Sequence, residues 1–131
     1  MGKILIVEDE PDVAEIIKML VESKGYETEI ALGGKEGLER IRKDKKYDLI
    51  LLDIRMPEVT GRQILEIMKK EQIKIPVIVI TAVAGALQIR SDLEARYQID
   101  GFVSKPYLNR DLISEIERVL KKKKNTKERE G

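Results

Sequence analysis

The segment LILLDIRMP, Leu49 to Pro57, runs four large aliphatic residues into a carboxylate, Asp53. Four consecutive residues of this kind suit a strand buried on both faces, as in a parallel sheet covered by helices. An ionised carboxylate is costly to desolvate without a cation or donors, so an acid closing such a strand belongs where the strand meets solvent or a cation. What else arrives at that place decides the reading.

Working outward, short aliphatic runs alternate with helical periodicity. KILIVE (Lys3 to Glu8), TEIAL (Thr28 to Leu32), DLILLD (Asp48 to Asp53), PVIVIT (Pro76 to Thr81) and GFVSK (Gly101 to Lys105) are expected strands. Val13, Ile16, Ile17, Leu20 and Val21 fall on one helical stripe, opened by Pro11 in its first turn and closed by Gly25. Leu38 and Ile41 begin a second stripe, Ile64, Leu65 and Met68 a third, and Leu112, Ile113, Ile116, Val119 and Leu120 the last. Ala86 to Tyr97 is weaker, with Leu87, Ile89, Leu93 and Tyr97 its large anchors. Five strands, each followed by a helix, predict an α/β fold with a doubly wound parallel sheet. Functional groups in such a fold lie at the carboxyl ends of the strands.

The chain has 131 residues, enough for one domain with a core of its own. We expect that domain over residues 1–122 and a basic, frayed tail over 123–131, where the run KKKKNTKEREG suits a helix end followed by a loose terminus. Cys and His are absent, which excludes thiol nucleophiles, zinc clusters and histidine acid-base chemistry. A net charge of +1 gives no global field favouring nucleic acid or an anionic membrane. No apolar run approaches the ~20 residues of a membrane span, and a cytoplasmic location is expected. A charged fraction of 37% leans toward a thermophilic source.

The expected strand ends carry Glu8, Asp9 and Glu10 after the first, Asp53 on the third, Thr81 and Ala82 on the fourth, Ser104 and Lys105 on the fifth. Crowded carboxylates repel, and a hard cation resolves this; Mg²⁺ prefers oxygen ligands and suits the set. A lysine and a hydroxyl nearby are equipment for the oxygens of a phosphoryl group, with Asp53 as the nucleophile that would form an acyl phosphate.

VEDE after the first strand, LLDIRMP with Gly61 four residues past its Pro, IT followed by Ala82, and SKPY together resemble the receiver domain of two-component response regulators, of the chemotaxis-regulator type. The resemblance covers about Lys3 to Leu120. It implies a flavodoxin-like sheet of order 2-1-3-4-5 with five helices and a signalling domain rather than an enzyme with its own substrate. It further implies a phosphoryl group accepted on Asp53 from a sensor histidine kinase, and Mg²⁺ held by Glu8, Asp9, Asp53 and the backbone carbonyl of Arg55. Thr81 and Lys105 would meet phosphoryl oxygens, and Phe102 would be the switch aromatic that moves with Thr81. Output to a partner or further domain would pass through the face of the fourth helix, fifth strand and fifth helix. Arg55 and Val83 occupy the variable positions that tune phosphoryl lifetime in receivers.

Blander readings stand beside these. Asp9 or Glu10 could cap the first helix, Lys105 could be a surface lysine, Thr81 a β-branched strand residue and Phe102 plain core. Gly33, Gly34 and Gly37 read as a turn and helix start. An aspartyl-phosphate-forming phosphatase would carry a second Asp where this chain has Arg55, and a dinucleotide site would need Gly where the first strand ends in acids.

Overall fold

The computed structural model describes residues 2–44, 46–54, 59–81, 86–104 and 109–130. Along the chain run β1 (Lys3–Val7), α1 (Pro11–Glu22), β2 (Glu27–Ala31), α2 (Gly34–Lys43), β3 (Leu49–Asp53), α3 (Gly61–Lys70), β4 (Val77–Thr81), α4 (Ala86–Arg96), β5 (Gly101–Ser104) and α5 (Asn109–Glu130). All strand pairings are parallel, in the order β2-β1-β3-β4-β5. This is the expected doubly wound, flavodoxin-like fold with five helices.

Alternation along the strands splits the core in two. Leu5, Val7, Ile50, Leu52, Val77 and Val79 face α2, α3 and α4, meeting Ile41, Ile64, Met68 and Leu93. Ile4, Ile6, Leu49, Leu51, Ile78 and Ile80 face α1 and α5, meeting Ile17, Val21, Leu112 and Ile116. Leu49, Ile50, Leu51 and Leu52 are all fully buried, each worth roughly 2 kcal/mol against an extended chain. This is why β3 tolerates an acid only at its end.

Element ends differ from expectation by a residue or so. β1 stops at Val7, although the Glu8 N–H still donates to the Ala31 carbonyl at 3.1 Å. The fifth helix runs through the basic stretch to Glu130. Lys, Arg and Glu are strong helix formers, and no Gly or Pro interrupts them before Gly131. α4 forms despite its weak pattern; Leu93 is fully buried, while Ile89 and Tyr97 pack on the same core.

Edge strand β2 carries an inward charge. Glu29 pairs with Lys3 at 2.5 Å and with Arg40 at 2.5 Å, and Tyr47 Oη donates to it at 3.1 Å. The Lys3 ammonium, then the Tyr47 hydroxyl, hold the Glu29 carboxyl below the usual glutamate range against the opposing effect of burial. A depressed carboxylate contributes stability above its unfolded pKa and loses it as pH falls through the folded value. Acid unfolding should therefore begin as pH drops below about 4.5, and Glu29→Gln should flatten that limb of a Tm-against-pH curve. An identical acid limb in the variant would contradict the assignment.

α3 ends in a left-handed cap. Ile73 N–H donates to Met68 O at 2.9 Å and Gln72 N–H to Lys69 O at 3.3 Å, with Gln72 at φ 57°. That geometry favours glycine. Gln72→Gly should raise stability by about 0.5 kcal/mol and Gln72→Val should lower it; the reverse order in chemical denaturation would refute the strain.

Candidate phosphoacceptor site

The sheet order brings the ends of β1 and β3 side by side. Val7 pairs with Leu52, so the next residues, Glu8 just past β1 and Asp53 at the end of β3, are neighbours. Both are buried, at 1% and 6% exposure, and Asp9 is half-buried. One carboxylate oxygen from each of Glu8, Asp9 and Asp53 lies within 4.8 Å of the others. At that separation an ionised pair repels by about 3 kcal/mol at an effective dielectric near 20, before counter-charges act. Three oxygen donors at the carboxyl edge, two of them buried, are the donor set of a hard divalent cation.

Local bonds shape the turn. Asp9 N–H donates to the Glu8 carboxylate at 3.1 Å, turning that side chain back under the loop. Glu10 occupies the N-cap of α1, yet its side chain makes no cap bond, so helix capping is not its role. Pro11 fills the first helical position, as expected. On the far side of β3, Ile54 N–H continues the ladder to Ile80 O at 3.1 Å and Gly61 N–H returns to Ile54 O at 3.2 Å.

Thr81 closes β4 fully buried, opposite Ser104. Phe102 lies in β5, half-buried against the core under α4, with the Arg90 guanidinium 6.0 Å from its ring centre. Its N–H donates to the Glu115 carboxylate at 3.2 Å, a contact from α5 that periodicity gave no sign of. Gly101 leaves room for that carboxylate: a Cβ there would stand 2.6 Å from its Oε2. Glu8, Asp9 and Asp53 are thus brought together and Thr81 lies at the end of the next strand. Lys105, Arg55 and Val83 lie outside the described residues.

The likeness to known proteins agrees with this arrangement. Residues 4–117 match the profile of the response regulator receiver domain. The chain is 35% identical over 122 residues to the response regulator ArlR of Staphylococcus saprophyticus, covering 93% of this chain and 54% of ArlR. It therefore spans about half the length of the curated relatives it matches. Among solved structures, the receiver domain of the Francisella response regulator 1452 superposes with a TM-score of 0.84 at 30% identity, over 94% of this chain and 99% of the other. Response regulator protein TrrA of Thermotoga maritima, solved in complex with Mg²⁺-BeF, superposes with a TM-score of 0.79 at 31% identity, over 91% and 99%. Among the described residues no helix is long and apolar enough to cross a membrane. The chain belongs to the response regulator receiver domains, the signalling domains of two-component systems.

Proposed function

We propose that Asp53 accepts a phosphoryl group from the phosphohistidine of a sensor histidine kinase, and that the modified domain signals through the face of α4, β5 and α5 to an output partner or domain. The observation that carries this is the packing of the Glu8, Asp9 and Asp53 carboxylates within 4.8 Å at the carboxyl edge of the sheet.

The residues fit Mg²⁺. Three carboxylate oxygens within 4.8 Å of one another are hard donors of the kind it prefers, and waters complete such sites. Glu8, Asp9 and Asp53 would hold the ion, with the Arg55 carbonyl assigned by family resemblance. When bound, it supplies charge neutralisation for the oxygens in transfer. Asp53 attacks phosphorus in line: its carboxylate oxygen forms the new O–P bond as the N–P bond to the donor imidazole breaks, and that nitrogen keeps the electron pair. Lys105 and the Thr81 hydroxyl then meet the phosphoryl oxygens, and Phe102 follows Thr81. Arg55 and Val83 are assigned the control of phosphoryl lifetime, since neither offers a group that activates water.

Asp53→Asn should keep the fold and take no label from a small phosphodonor with Mg²⁺, whereas wild type gains one phosphate by intact mass. Label retained by the variant would overturn the acceptor assignment. Mg²⁺ at ten times its Kd should add about 1.4 kcal/mol of stability, a rise of a few degrees in Tm. Asp9→Ala should lose most of that rise; an unresponsive wild type, or an equal response in the variant, would contradict the metal assignment.

A further inference from the structure

The Gly33-Gly34 doublet that opens α2 contains two glycines required for different reasons. Gly33 has φ +112°, a conformation that L side chains rarely adopt, and a Cβ there would meet nothing within 4 Å. Gly34 is the opposite case. A Cβ on it would stand 1.8 Å from the carbonyl oxygen of Val59, 2.7 Å from its carbonyl carbon and 2.9 Å from its Cβ. Val59 is the first described residue after Ile54, and its backbone lies against the first turn of α2.

We infer that Gly34 is a positioning residue for the phosphoacceptor site: by admitting the Val59 carbonyl against α2 it lets the chain pass through Thr60 to Gly61, which packs on the Asp53 carbonyl. The inference rests on Asp53 as acceptor. A Cβ at Gly34 falls 1.2 Å inside the 3.0 Å below which real Cβ contacts essentially never come, and the obstacle is backbone, which no rotamer change relieves.

Either α2 or the loop must give way, and α2 is the better anchored. One turn on, Gly37 seats it on β1, where a Cβ would come 2.6 Å from Val7 Cγ1. Ile41 is fully buried, and Arg40 is tied to Glu29 on β2. The far end of the loop is fixed as well. Thr60 caps α3 through a reciprocal pair of bonds with Gln63, and a Cβ on Gly61 would stand 2.6 Å from Asp53 O and 2.7 Å from Ile54 Cα. Displacement therefore falls on Val59, held between α2 and the Gly61 that packs on the Asp53 carbonyl. A misplacement of about 1 Å at a reacting centre can cost on the order of 100-fold in rate.

The test compares Gly34→Ala, Val59→Gly and Ile41→Val with wild type by thermal melting, by backbone amide NMR during Mg²⁺ titration, and by the first-order rate of labelling with acetyl phosphate at saturating Mg²⁺. Gly34→Ala should label roughly 10- to 100-fold more slowly, bind Mg²⁺ several-fold more weakly and shift amides clustered at residues 54–61. Ile41→Val loosens α2 without touching the loop and should lower Tm with an unchanged labelling rate. Val59→Gly frees the loop's hold without a clash; it should slow labelling in the same direction, and it decides the matter on the same readouts if Gly34→Ala does not fold. Wild-type labelling rate and Mg²⁺ affinity in Gly34→Ala, with wild type itself labelled, would overturn the inference and leave the acceptor reading intact. A wild type that takes no label would remove the acceptor reading and this inference with it.

Discussion

Three carboxylates share one small volume at the edge of the sheet, and most of this structure serves to hold them there. Glu8 and Asp53 end neighbouring strands whose apolar residues are fully buried, so neither can retreat into water without unpicking the ladder behind it. Mutual repulsion disfavours this geometry in isolation. It persists because the strands are locked by two hydrophobic layers and because the turns beyond them are tied by backbone bonds, Glu8 N–H to Ala31 O and Gly61 N–H to Ile54 O. The result is a preorganised set of oxygens of the kind a hard cation prefers.

The helices are not held equally. α1, α3 and α5 each press several side chains into the core, whereas α2 buries Ile41 beside the close-packed Gly34 and Gly37, and among the described side chains of α4 only Leu93 is buried. A polar seam with α3 supplies much of the rest. Arg62 meets Asp92 at 2.7 Å, Lys69 Nζ donates to the Arg96 carbonyl at 2.9 Å, and Tyr97 Oη donates to Glu66 at 2.6 Å. Exposed pairs of this kind contribute little each. α4 is accordingly held to the rest of the domain largely by this polar seam and by Leu93.

Much of this was legible in the sequence, for identifiable reasons. LILL before Asp53 and VIVI before Thr81 are too apolar for an exposed strand, so a covered parallel sheet followed, and with it the carboxyl edge as the place to look. Periodicity does not encode strand order; that came with the family resemblance and agrees with the pairings. What stayed hidden depends on contacts between distant segments. The Gly34–Val59 approach, the Glu115 carboxylate on the β5 edge and the left-handed Gln72 each lack a local signature, and the Gly33-Gly34 doublet reads only as a turn until Val59 is placed on it.

The central claim is that the three carboxylates act as one cation site that readies Asp53 for phosphoryl transfer. Amide NMR during Mg²⁺ titration tests it most directly. The account predicts saturable shifts centred on Glu8, Asp9, Asp53 and Ile54, lost together in Asp9→Ala. Shifts scattered over surface acids such as Asp92 and Glu94, or none that saturate, would contradict it.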